Sequence, residues 1–124
     1  MSTIRRIEDI QAWQKARELV REIYRCCARG PMKNDFALRG QISRAALSSM
    51  TNVAEGFARR TDKDFAHFLD VAKGSAVEVQ SLLYAALDIG YIKPEEFKHL
   101  HSLAEETVLL IGGFASYLRG GEKK

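Results

Sequence analysis

Chemistry in this 124-residue chain would have to start from its few histidines, thiols and clustered carboxylates. Asp64-x-x-His67 and Glu96-x-x-His99 have the carboxylate-x-x-histidine spacing that sets two metal ligands on one helix face, as in di-iron bundles. A shared metal needs both pairs at one point. Each pair falls in the first turn of one of two consecutive antiparallel helices, so the pairs stand at opposite ends, roughly 30 Å or more apart. His99 and His101 are two residues apart and point in different directions. Three histidines near helix ends offer no Ser-His-Asp or Cys-His arrangement. The two cysteines, Cys26 and Cys27, are neighbours on a helix and read as small buried thiols in a reducing compartment. Gly112-Gly113 lies mid-helix and reads as a close-packing spot or kink, not a cofactor loop. The expectation is a protein with no catalytic residue, no metal and no cofactor.

Arginine offers a different chemistry, the recognition of phosphate by a planar fork of donors. Arg17, Arg21, Arg25 and Arg29 recur every four residues and form one slowly drifting helical stripe. Arg59 and Arg60 follow in a later turn, and Arg5, Arg6, Lys15, Lys33 and Arg39 add to the same half. Residues 1–62 hold 12 basic and 7 acidic side chains, a net +5, and residues 63–124 hold 7 and 9, a net −2; together they make the chain's +3. Glu18 and Glu22 share a face with Arg21 and Arg25, so part of the stripe can be neutralised at i,i+3 spacing. An RNA-recognition motif, zinc-finger spacing and a recognition-helix turn are all lacking.

These residues need long helices to position them. Only 2 prolines interrupt the chain, and proline is the strongest helix breaker. Helix 1 is expected over about 9–29, with Trp13, Ala16, Val20, Ile23, Tyr24 and Cys27 at helical spacing and Gly30-Pro31 as its stop. A loop over 30–35 leads to Asn34 or Asp35 as the next N-cap. Helix 2 spans about 36–58, with Leu38, Ile42, Ala45, Ala46, Val53 and Phe57 inward. Helix 3 spans 62–89, started by Thr61 with Asp64 in a capping-box arrangement and stopped by Gly90. Helix 4 spans 94–118, opening on Pro94-Glu95-Glu96 and closing at Gly120-Gly121, with Glu122–Lys124 as a frayed tail. No stretch alternates with period two. Short connections between helices of roughly 30–40 Å predict an all-α, antiparallel up-down-up-down four-helix bundle in one domain. The longest strongly apolar uncharged stretch, 107–118, is too short for a membrane span of about twenty residues. Arg5 and Arg6 have no apolar run behind them, so no secretory signal is expected.

Helix 2 is apolar over a sector of roughly 200°, whereas one core-facing stripe needs little more than about 100°. The surplus edge, Leu47, Met50 and Ala54, is expected to meet another subunit. Its other face is polar with unusual composition. Arg44, Asn52 and Glu55, with Ser75 and Glu78 on helix 3, suggest a polar network fixing helix register, built on an Arg44–Glu78 or Arg44–Glu55 ion pair.

A recognisable pattern runs through these helices: Trp13-Gln14-Lys15-Ala16 before Ile23-Tyr24, then Gln41-x-x-Arg44-Ala45-Ala46-x-Ser48 and Asn52-Val53-Ala54-Glu55-Gly56. Phe65-x-x-Phe68-Leu69-x-x-Ala72-x-Gly74-Ser75-x-x-Glu78 and Gly90-Tyr91-Ile92 complete it. The chain resembles the bacterial 23S ribosomal RNA intervening-sequence proteins over about residues 9–118, and is similar to the accessory variability determinant of diversity-generating retroelements. That resemblance implies a homopentameric ring of four-helix bundles, small and cytoplasmic, without enzymatic activity. For the retroelement relatives it implies binding to a reverse transcriptase and to nucleic acid. The expected function is therefore a non-enzymatic homo-oligomer that binds RNA, DNA or a nucleic-acid-processing protein through the arginines of helix 1 and the following turn. The alternative is a structural or protein-interaction scaffold without nucleic-acid affinity.

Overall fold

A computed structural model describes residues 4–120. The chain forms helices α1 (Gln11–Cys27), α2 (Phe36–Phe57), α3 (Asp62–Ile89) and α4 (Pro94–Leu118), with 3-10 turns at Ile7–Asp9 and Gly30–Asn34. No strand occurs among the described residues. The expected tail at Glu122–Lys124 lies outside them.

The helix ends follow from local hydrogen bonding. The Asp35 carboxylate accepts from the Leu38 N–H at 3.0 Å and caps α2. It also accepts from the Tyr91 hydroxyl at 2.8 Å, which ties the α3–α4 connection to the start of α2. Thr61 caps α3 by accepting from the Asp64 N–H at 3.1 Å, and Gly90 ends it at φ 93°, where a Cβ would be strained. Both α3 and α4 run between the expected residues, and α2 ends at Phe57, with Ala58 as its cap.

Helix α1 is shorter than the expected 9–29. Asp9 belongs to the preceding 3-10 turn, where its carboxylate accepts from the Arg5 and Arg6 N–H groups, each at 3.2 Å. Ile10 is extended and α1 begins after it. At the other end, the expected loop over 30–35 is wound into a 3-10 turn, which points Met32 into the core beside the Cys26 sulfur, 3.9 Å away.

Cross-helix pairs give the directions. Gln41 meets Glu78 and Ser48 meets Ser75, so one number rises as the other falls. Gln80 with Glu105 and Asp70 with Arg119 show the same for α3 and α4. Lys15 with Glu106 and Arg29 with Glu96 close α4 against α1. The bundle is therefore antiparallel, up-down-up-down, each helix lying beside its neighbours in sequence.

The core has two apolar layers. One gathers Leu19, Ile23, Met32, Ile42, Leu83 and Leu100. The other gathers Trp13, Val53, Phe65, Leu69 and Ile111. Along α2 and α4, Ser49 and Thr107 fall between these layers. Both are fully buried, and each hydroxyl donates to a carbonyl of its own helix, Ala46 at 2.7 Å and Leu103 at 2.8 Å. At the end of α2, Gly56 lets α3 come close. A Cβ there would lie 2.7 Å from Phe65 Cδ1 and 2.9 Å from Phe68 Cβ. Phe65 in turn meets Phe114 of α4 edge-on, with ring centroids 5.1 Å apart.

Gly56→Ala is expected to cost about 1–3 kcal/mol through this overpacking. Gly74→Ala, where a Cβ meets nothing within 4 Å, should gain about 0.5–1 kcal/mol. Urea midpoints decide; equal effects would refute the close approach. The Leu38 N–H and then the Tyr91 hydroxyl hold the Asp35 carboxyl below its usual 3.8. A carboxyl depressed on folding stabilises above its unfolded pKa and loses that contribution as pH falls through the folded value. Melting temperature should therefore fall as pH drops below 3.8, less steeply in Asp35→Asn, which keeps an acceptor for the cap.

Candidate nucleic-acid interface

The six arginines singled out in the sequence divide into different environments. Arg17, Arg21 and Arg25 stand exposed on α1. Glu22 accepts from Arg21 Nε at 3.4 Å and from Arg25 Nη1 at 3.2 Å. Glu18 is engaged by Lys15 at 3.3 Å, and Lys15 also reaches Glu106 at 3.3 Å. The Lys15 ammonium is stabilised accordingly, its pKa raised first of all by Glu18. Arg17 lies over the Trp13 ring, 5.7 Å from its centroid, and forms no ion pair among the described residues. Arg21 and Arg25 thus share Glu22, while Glu18 beside them is engaged by Lys15.

Arg29 has left the stripe. It pairs with Glu96 in the first turn of α4 and also donates to the Arg25 carbonyl at 3.2 Å. Hydrogen bonding to Glu96 raises its pKa further. The cation at the end of α1 and the carboxylate at the start of α4 each complement a helix dipole, so this is a structural tie between helices. Arg59 pairs with Glu55 one turn before it and covers the Phe68 ring at 4.6 Å from its centroid. Arg60 is exposed in the α2–α3 turn without an ion pair among the described residues. That turn lies at the Trp13 end of α1, because Trp13 and Phe65 share one core layer.

The polar network between α2 and α3 exists, without its expected ion pair. Ser48 and Ser75 hydroxyls meet at 2.7 Å, and the Asn52 amide donates to the Ser48 carbonyl and hydroxyl, both at 3.0 Å. Glu78 accepts from the Gln41 amide at 3.3 Å and Glu55 is held by Arg59, so neither acid is on Arg44. A partner one helical turn away wins Glu55 because it needs no reach across the seam. The Arg44 guanidinium instead lies over Gly40, where a Cβ would be 3.3 Å from Nη1.

Helical spacing alone places Tyr24 with the core and apart from Arg39 and Arg44. In the structure Tyr24 is 46% exposed. It lines a groove of about 430 Å³ between α1 and α2 with Cys27, Ala28, Arg39, Gly40, Ser43 and Arg44. Arg39 donates to the Lys33 carbonyl at 2.7 Å and lies over Phe36, 4.9 Å from the ring centroid. Phe36 itself is 70% exposed. The signal was present in the helical wheel, where Tyr24 falls between the apolar stripe and the arginines.

The surplus apolar edge of α2 is graded. Leu47 is 37% exposed, while Met50 and Ala54 are half-buried against the core layer of Trp13 and Phe65. Both cysteines are buried, and burial pushes the Cys26 thiol up to about 11, so little thiolate forms at neutral pH. Among the described residues no three His, Cys, Asp or Glu side chains come together as a metal site. His67 lies against Phe68, and Glu96 belongs to Arg29. No described helix is long and apolar enough to cross a membrane.

The model of one protein family, the 23S rRNA-intervening sequence protein, matches residues 8–113. Among solved structures, a protein of unknown function from the S23 ribosomal protein family of Bacteroides thetaiotaomicron is similar, with a TM-score of 0.77 and 22% identity. The match covers 85% of this chain and 95% of that one, and at this identity it speaks to the fold. A comparison with curated proteins gave no match.

Proposed function

This chain belongs to the 23S rRNA-intervening sequence protein family, and from that premise we propose that it is a non-enzymatic homo-oligomer that binds nucleic acid through the basic face of α1. The observation that supports this most directly is the set Arg17, Arg21 and Arg25, all exposed, of which Arg21 and Arg25 share Glu22 and Arg17 has no ion pair among the described residues. Guanidiniums so placed can exchange water for phosphate oxygens at small desolvation cost and release condensed counterions. The non-enzymatic reading draws support from the structural partners of the reactive groups: His101 packs against Tyr84 and Phe97, and both thiols are buried.

Assembly is part of the proposal. Leu47 projects from the outer side of α2 with Thr51, and Ala54 lies half-covered beside them. A second copy on this face would bury Leu47, and a closed ring, a pentamer as the family resemblance implies, would repeat the α1 face around one axis. Repetition matters because each further engaged patch adds to avidity at a raised effective concentration. Such a ring would work in the cytoplasm, where ribosomal RNA is found. A nucleic-acid-processing protein such as a reverse transcriptase, carrying an acidic surface, is the second partner compatible with this face.

RNA binding measured by anisotropy should weaken steeply with salt, and Arg21→Glu with Arg25→Glu should reduce affinity at least about tenfold and flatten the salt dependence. An intact oligomer that binds no RNA or DNA at low salt would establish the scaffold reading instead. Leu47→Asp should dissociate the oligomer in light scattering with unchanged helical circular dichroism. Met50→Asp is the poorer probe, because Met50 also touches the core.

A further inference from the structure

We infer that the α1–α2 groove is a subsite for one nucleotide of a single strand, its phosphate held between Arg39 and Arg44 and its base stacked at Tyr24. The inference rests on the nucleic-acid reading above and assigns it a second, more selective surface than the α1 face.

The groove has the size of a small-ligand site, at about 430 Å³. Its lining includes two guanidiniums and no carboxylate. Neither Arg39 nor Arg44 forms an ion pair among the described residues, so an incoming phosphate displaces no acid. Arg39 is already oriented, by the Lys33 carbonyl at 2.7 Å and by the Phe36 ring beneath it. Pre-orientation lowers the entropy lost on binding. Gly40 leaves the space over which Arg44 lies, and a side chain at that position would crowd the guanidinium. Ser43 contributes a hydroxyl at the floor, donating to the Cys27 sulfur at 3.7 Å.

Two exposed aromatics flank these charges. Tyr24 lies on the groove wall and Phe36 beneath Arg39. Arginines interleaved with exposed aromatic rings are the chemistry of single-strand recognition, because every base has a face to stack. A duplex hides those faces in its own stack and offers only phosphates and groove edges. Tyr24 lies one helical turn from Arg21 on the core-ward side of the arginines, so the groove adjoins the basic face. On α2, Ser43 and Arg44 stand about one helical turn before Leu47, so the groove borders the proposed subunit contact.

The test uses the full chain and a fluorescein-labelled 12-nucleotide oligouridylate, with a hairpin duplex of equal length beside it. Tyr24→Ala should lower single-strand affinity about tenfold, leave the salt slope unchanged and leave duplex binding unaffected. Tyr24→Phe should bind as the parent does. Arg39→Gln with Arg44→Gln should lower affinity at least as much and reduce the salt slope by about 0.7, the contribution of one phosphate of a single strand. Thermal melting checks that each variant is folded. If these variants keep parental affinity while Arg21→Glu with Arg25→Glu loses it, the groove is overturned and the α1-face reading stands. Equal loss on single strand and duplex for Tyr24→Ala would also overturn it. A parent protein that binds neither probe overturns both.

Discussion

The close approach of α2 and α3 at Gly56 is the contact on which the rest of the bundle depends. The connection between these helices is only residues 58–61, so the end of α2 and the start of α3 must touch. Phe65 occupies the place a side chain at 56 would take. From there it reaches Phe57 on one side and Phe114 on the other, with centroids 6.3 and 5.1 Å away. One missing Cβ thereby lets a single ring join α2, α3 and α4. Small residues continue the theme up the seam, with Ala45, Ala46 and Ser49 on α2 and Ala72, Ala76 and Ala86 on α3 all buried.

Close seams of small residues have a consequence for the surface. They leave larger side chains to fill the two apolar layers, supplied mainly by Leu, Ile, Phe and Trp. They also leave little volume for a charged pair between α2 and α3. The seam is instead closed by hydroxyls and an amide, Ser48, Ser75 and Asn52, which fit a tight gap and satisfy one another. Among the described residues no buried side-chain nitrogen or oxygen is left without a partner. Arg44 is kept out of the seam by the same geometry and becomes available at the α1–α2 groove.

The helices were legible because their signals are local. Thr61, Gly90 and Pro94 act within one turn of themselves, and α3 and α4 begin and end where those residues dictate. The ends of α1 were not legible. Ile10 and the 3-10 turns flanking α1 have ordinary compositions, and their geometry is imposed by packing, with Ile10 and Met32 both buried. Leu19, Ser43 and Ser49 were missed as core positions. Leu19 stands at i+3 from Ala16 and i−4 from Ile23, so its signal was present in the spacing, whereas serine hydroxyls become burial-compatible only after they find a carbonyl or sulfur acceptor. The α1 stripe was legible as a stripe. Its division into free and tied arginines was not, because Glu96 reaches Arg29 from 67 residues away.

Pairing decides what the modest net charge of +3 can do. Arg119 binds Asp70 through two nitrogens at 3.1 and 2.7 Å, and Arg29 binds Glu96. Both arginines sit at helix ends and join one helix to another. Exposed ion pairs of this kind contribute little each, about 0–1 kcal/mol, so their value lies mainly in fixing how helix ends meet. Arg17, Arg21, Arg25, Arg39 and Arg44 lie away from those junctions. Among the described residues only Glu22 is an acid partner to any of them, and only Arg39 ties a turn to a helix start, through the Lys33 carbonyl. Most of their charge is left without a neutralising partner among the described residues. Concentrated along α1 and the adjoining groove, it creates a local field that the overall charge balance conceals, and its physical consequence is attraction of a polyanion.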